Sequence, residues 1–190
     1  MSVRSLTSAV MFAALACTAL PAVSGAQERP TYGPRLEGFE YPFKTEVLNL
    51  DSQGQKLEMV FMDIAAEKPN GRTVVLLHGK NFCGATWEGT INQLSNAGYR
   101  VIAPDQVGFC KSSKPESYQF SFHQLAQNTK VLLESRGIDE ATVVGHDWGA
   151  QVGWHLAMHA PQRVSRYAAL SVGHPKALAK SGLGQKLRFW

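Results

Sequence analysis

An α/β architecture, with a mostly parallel central sheet covered by helices on both faces, is predicted by three observations. Short, continuous, β-branched runs recur at Thr73–Leu77, Arg100–Ala103 and Ala141–Val144. Stretches with helical spacing separate them. Gly, Pro and Asn mark the breaks. Continuous apolar strands are buried on both faces, and strand–helix–strand alternation builds an open parallel sheet.

The chain has 190 residues, 44% of them hydrophobic and 18% charged, which excludes disorder and collagen-like repeats and suits a single domain. The formal net charge of +4 comes without a Lys/Arg run, so no nucleic-acid partner is expected. All fifteen carboxylates lie between Glu28 and Asp147, and six Lys and Arg follow with none among them.

Residues 1–26 read as a secretory leader. Arg4 supplies the positive end, Leu6–Leu20 is apolar, Pro21 breaks the helix, and Ser24-Gly25-Ala26 offers small residues for cleavage. A lipidated Cys17 is the rival reading. The apolar stretch falls short of the ~20 residues a membrane span needs, so no membrane association is expected after cleavage. Export to the periplasm or medium is the expectation. Residues 27–44 form an N-terminal extension, and the domain starts at 45.

Leu57–Ile64 is a mixed apolar run of strand type, closed by Pro69-Asn70-Gly71. Thr73–Leu77 follows as a buried strand. Trp87, Ile91, Leu94 and Ala97 have helical spacing, and Gly98 stops that helix. Arg100–Ala103 ends at Pro104-Asp105, before a loop from Gln106 to Ser117. Ser121 with Gln124 forms a capping box for a helix reaching about Arg136. Ala141–Val144 is the next strand, Gly149–His159 a helix, and Val164–Val172 a last strand. No internal repeat is present. In such sheets function collects at the carboxyl ends of the strands. The loops at 78–86, 104–117, 145–149 and after Ser171 are therefore the places to look.

The turn Gly145-His146-Asp147-Trp148-Gly149 joins a strand to a helix in the pattern G-x-D-x-G. A nucleophile on a sharp strand-to-helix turn needs small neighbours two positions before and after it. The helix N-terminus beneath then favours negative charge. An Asp at a strand end is otherwise only a helix cap, and the flanking glycines favour the nucleophile reading of Asp147.

Over residues 45–190 the chain resembles the α/β-hydrolase superfamily. His78-Gly79 is similar to its oxyanion-loop motif, and Asp105–Ser112 resembles its D-x-x-G-x-G-x-S loop with Cys110 in place of a glycine. An Asp at the elbow resembles the epoxide hydrolase branch, with haloalkane dehalogenases and Ser-type relatives as alternatives. A carboxylate displaces at a saturated carbon, leaving an ester that a His-activated water hydrolyses. The resemblance implies a small-molecule substrate and no cofactor.

It further implies backbone oxyanion donors at Lys80 and Trp148, and a pocket near Asn81, Trp148 and His174. His78, Gly79, Gly145, His146 and Gly149 take structural motif positions. Lys80 stands where dehalogenases place a halide-binding Asn, and Asn81 where epoxide hydrolases carry Pro. His78–Trp87 resembles exported hydrolases with Ser at the elbow.

Cys83 and Cys110 both fall on active-edge loops and form a candidate disulfide pair. His155 and His159 are spaced for a metal but lack a third ligand in sequence, so no metal site is expected.

The family order is nucleophile, acid, His. No carboxylate follows Asp147, and the later histidines are only 155, 159 and 174. The 190 residues therefore read as an N-terminal part lacking cap, last strands, acid and base, and are not expected to turn over. A non-catalytic binding protein and a truncated product are the other readings. Oligomeric state is not legible, though Tyr167–Val172 as an open edge strand favours self-association.

Overall fold

The computed structural model describes residues 30–182. The expected leader, and the start of the 27–44 extension, lie outside the described residues. The chain divides into Met1–Thr31 and Tyr32–Trp190, and the second unit holds every described helix and strand.

Six strands form one sheet in the order β1-β2-β4-β3-β5-β6. They are β1 (Thr45–Ser52), β2 (Gln55–Ile64), β3 (Thr73–Leu77), β4 (Arg100–Pro104), β5 (Ala141–His146) and β6 (Val164–Leu170). The β3–β4, β3–β5 and β5–β6 pairings are parallel, whereas β1–β2 and β2–β4 are antiparallel. Among the described residues four α-helices accompany them: α1 (Glu88–Asn96), α2 (Phe122–Ser135), α3 (Trp148–His159) and α4 (Pro175–Lys180).

Strand alternation sorts the core into two layers. Val75 and Leu77 of β3, Ile102 of β4 and Val143 of β5 face one side, with Leu125, Leu132, Val152 and Leu156 from α2 and α3. Val74, Leu76, Val101 and Ala103 face the other, where Ile91 of α1 is fully buried. The runs at β3 and β4 are continuous because both faces are covered.

Several boundaries differ from the sequence reading. Strand β1 was not anticipated, since its apolar positions 47, 48 and 50 do not alternate cleanly. It is set by a two-residue turn, Gln53 (φ 53°) and Gly54 (φ 71°), whose double positive φ matches the twist of a hairpin. Strand β6 ends at Leu170, because Ser171 turns to φ 70°. Helix α4 is likewise unforeseen. At α2, Ser121 Oγ accepts from the Gln124 N–H at 3.1 Å. The Gln124 side chain instead donates to Ser52 Oγ at 3.0 Å and Asn128 Oδ1 at 3.3 Å, so only half of the expected capping box forms.

The extension is docked over its described residues 32–44. Arg35 donates to the Lys111 carbonyl at 2.8 Å and pairs with Glu58 at 2.8 Å, while Tyr41 reaches Asp105.

Candidate active site

Asp147 sits between β5 and α3 with φ 54° and ψ −119°, a conformation that costs a non-glycine residue roughly 1–3 kcal/mol. It occupies the N-cap position of α3, yet its side chain makes no cap bond. Oδ1 instead accepts the Lys80 backbone N–H at 3.0 Å. The elbow carboxylate thus leaves its own helix and crosses to the loop after β3.

That crossing requires three glycines. A Cβ on Gly79 would lie 2.9 Å from Asp147 Cβ and Oδ1. One on Gly145 would meet the Gly149 carbonyl oxygen at 2.4 Å, and one on Gly149 the Leu77 carbonyl oxygen at 2.1 Å. Strand and helix touch backbone to backbone here, which explains the G-x-D-x-G spacing. The Asp147 N–H donates to the Leu170 carbonyl at 3.2 Å, anchoring the turn to the end of β6.

His78 is 1% exposed and wholly engaged. Its Nε2 accepts the Gln106 N–H at 3.0 Å, so Nδ1 carries the proton and donates to the Gly79 carbonyl at 2.8 Å. Burial holds this imidazole below the usual histidine range. Gln106 returns a bond to the His78 carbonyl at 2.7 Å, locking the loop after β3 to the loop after β4.

Asp105, also 1% exposed, accepts the Gly84 N–H at 2.8 Å, the Lys111 N–H at 3.0 Å and the Tyr41 hydroxyl at 2.6 Å. Ser112, fully buried, ties the Asp105 carbonyl (2.7 Å) to the Val60 N–H (2.8 Å). Gln106 and Tyr41 were not singled out in sequence. Gln106 adjoins a motif Asp, but Tyr41 lies 64 positions from its partner and gives no local signal.

Trp148 is half-buried, against Phe122 at 5.5 Å and Phe109 at 6.0 Å between ring centroids. Exposed Lys80 lays its Nζ over the same indole at 5.2 Å. A cavity of about 480 Å³ opens between Trp148, Phe120, Phe122, Leu125 and His155. A smaller one of about 250 Å³ is lined by His78, Gly79, Phe82, His146 and Leu170. Neither Asn81 nor His174 lines these two cavities. Asn81 is exposed on its loop. His174 Nδ1 accepts the Lys176 N–H at 3.1 Å, and its ring packs on Trp154 at 4.7 Å. A larger, polar cavity of about 650 Å³ beside β1 and β2 holds none of the motif residues.

Cys83 and Cys110 are free thiols. Cys110 Sγ donates to the Phe82 carbonyl at 3.2 Å. The neighbouring Cys110 lowers the Cys83 thiol to about 6, against the opposing effect of burial, with Tyr41 helping. Cys83, and burial, push Cys110 up.

The model of the alpha/beta hydrolase fold family matches residues 72–188. The chain belongs to that family. Within it, this α/β hydrolase is epoxide hydrolase-like. It is 39% identical over 124 residues to Epoxide hydrolase A of Mycobacterium tuberculosis, covering 65% of this chain and 37% of that one. It is 32% identical over 136 residues to a haloalkane dehalogenase of Mycolicibacterium paratuberculosis, covering 70% and 44%.

A probable hydrolytic enzyme from Pseudomonas aeruginosa PAO1 superposes with TM-score 0.72 at 54% identity, over 74% of this chain and 45% of that one. An epoxide hydrolase from Vigna radiata does so with TM-score 0.59 at 32% identity, over 70% and 41%. This α/β hydrolase thus spans about two fifths of the length of these two curated relatives.

Proposed function

We propose that Asp147 is the nucleophile of an epoxide-opening hydrolase. One observation carries the reading: the Lys80 N–H holds Oδ1 at 3.0 Å, which leaves Oδ2 as the attacking atom. Oδ2 forms a bond to an epoxide carbon, the ring C–O bond breaks, and the alkoxide takes a proton from solvent. The product is an alkyl ester of Asp147.

Water attacking Cγ of that ester places the new negative charge on Oδ1. The Lys80 N–H is already there, and the free Trp148 N–H at the start of α3 is the second donor. Collapse of this oxyanion releases the diol and regenerates the carboxylate. A halide is the other leaving group, favoured by Trp148 beside the carboxylate.

Activation of that water needs a His and a carboxylate. No carboxylate follows Asp147 in these 190 residues. His155 and His159 cluster with His123, and His174 is turned to Trp154 and Lys176. The 190 residues alone therefore stop at the ester.

Incubation with styrene oxide is expected to add one adduct per chain, mapped by peptide mass spectrometry to Asp147, with no continuing release of diol. Asp147→Gly abolishes the adduct and raises the melting temperature, because glycine relieves the positive φ worth about 1–3 kcal/mol. No adduct, or an adduct surviving in Asp147→Gly, overturns the proposal, and sustained diol production overturns only the expectation that the 190 residues stop at the ester. A bromoalkane run in parallel reports the halide reading through bromide release.

Export belongs to the same proposal, carried by Arg4, the apolar Leu6–Leu20 and Ser24-Gly25-Ala26. In an oxidising compartment the neighbouring Cys83 and Cys110 thiols close a disulfide. N-terminal sequencing of secreted or periplasmic protein is expected to begin at Gln27, with no titratable thiol before reduction. An intact Met1 or two free thiols in that fraction would contradict it.

A further inference from the structure

His155 and His159 stand one turn apart on α3, a spacing that presents both rings on one face. The fold supplies what the sequence did not. His123, the second residue of α2, packs against them across the α2–α3 contact. One ligating nitrogen from each ring lies within 4.8 Å of the others. The His123 and His159 ring centroids are 4.4 Å apart, and the His155 and His159 rings stack at 5.7 Å with 24° between planes.

We propose that His123, His155 and His159 form a binding site for a divalent transition-metal ion of the Zn²⁺ class, which fastens α2 to α3. The donor set is chemically suited. Three neutral imidazoles match Zn²⁺, Ni²⁺ and Cu²⁺ rather than Mg²⁺ or Ca²⁺, which demand oxygen ligands. A tetrahedral ion with bonds of ~2.0–2.1 Å sets its nitrogens roughly 3.3 Å apart. Closing from at most 4.8 Å needs only small ring rotations. His123 and His159 are exposed, so their rings have room to turn and the ion has a way in. His155 is half-buried, and its buried Nδ1 has no hydrogen-bond partner, so no such bond at that atom opposes its turning.

Three protein ligands leave a fourth position for solvent or another donor. The site borders the cavity of about 480 Å³, since His123 and His155 line it together with Trp148, the residue after Asp147. Bound metal ties the start of α2, and the loop that precedes it, to the elbow helix. The ion would therefore stiffen one wall of that cavity.

The test uses the full, tag-free chain with Cys17→Ser, Cys83→Ser and Cys110→Ser, so that thiols do not compete for metal. Calorimetric titration with ZnCl₂ is expected to show one equivalent bound, with a melting temperature raised by on the order of 5 °C at saturating metal. Co²⁺ in its place gives the visible absorption of a low-symmetry, four-coordinate site. His123→Ala and His159→Ala each weaken binding at least ~10-fold. His174→Ala, outside the cluster, leaves it unchanged. Absence of binding at about 100-fold molar excess of Zn²⁺, or equal affinity in His123→Ala, overturns the proposal. Circular dichroism of each variant in the absence of metal separates loss of ligand from loss of fold.

Discussion

Gly149→Ala is expected to lower the melting temperature steeply and to take the labelling of Asp147 with it. The added Cβ would fall 2.1 Å from the Leu77 carbonyl oxygen, 2.5 Å from the Leu77 carbonyl carbon and 2.7 Å from the His78 carbonyl oxygen. All three belong to the backbone of β3 and the loop it feeds. No flexible side chain is available to yield. Helix α3 must therefore retreat from the sheet, at a cost of about 3 kcal/mol. For a domain of this size that is roughly 6–12 °C in melting temperature.

The retreat also separates the two partners of the Lys80–Asp147 bond, one on each side of the contact. Labelling should then fall by far more than the folded fraction does. Gly89→Ala provides the control. Nothing lies within 4 Å of its Cβ position on α1, and alanine there stabilises by roughly 0.5–1 kcal/mol. Equal melting temperatures for Gly149→Ala and the unmodified chain would show that the close approach of α3 to β3 is not a constraint.

The same contact explains what was legible in the sequence. A turn that brings helix backbone onto strand backbone leaves room only for glycine, so Gly145 and Gly149 announce it by residue type alone. Continuous runs such as Thr73–Leu77 are equally plain, because burial on both faces removes every polar position. Elements covered on one side leave weaker marks. Strand β1 carries Glu46, Asn49 and Asp51 among its apolar residues and is held mainly by its pairing with β2. The hairpin signal was present in Gly54, but a Gln rather than Asn or Asp precedes it.

Contacts between distant segments gave no mark at all. Asp147 is separated from the Lys80 N–H by 67 positions, and His123 from its two partners by the whole of β5 and most of α2. The two-histidine spacing on α3 was visible as chemistry. Its third member depends on how α2 packs on α3, which is a property of the folded core. Asn81 and His174 stay apart from the two cavities beside the elbow for a related reason. One side chain points from an exposed loop, and the other is claimed by the first turn of α4 and by Trp154.

Asp63→Ala is the second large effect, and it reports on how the sheet is fastened to α2. The Asp63 carboxylate, with a side chain only 6% exposed, receives Arg100 Nη2 at 2.6 Å and Nε at 2.9 Å. Arg136 Nη2 reaches it at 2.8 Å and Nε at 3.0 Å. One carboxylate thus joins β2, the start of β4 and the residue that caps α2. Truncation leaves two guanidinium groups facing each other with only Glu46, 3.2 Å from Arg136 Nη1, as counter-charge, at a cost of about 3 kcal/mol.

Burial alone would raise the Asp63 carboxyl, yet Arg100, and then Arg136, hold it below the usual carboxylate range. At pH values between the folded and unfolded pKa the unfolded chain binds the extra proton, so this stability grows with pH. It is complete above the unfolded value of about 3.9 and is lost as pH falls through the lower, folded value. Urea unfolding of the unmodified chain and Asp63→Asn should differ most at pH 7, and the gap should narrow below about pH 4. A gap that stays constant with pH would mean that shape and hydrogen bonding, rather than charge, fasten α2 to the sheet. A gap that closes would mean that the charge on Asp63 fastens α2, and with it His123, to the sheet.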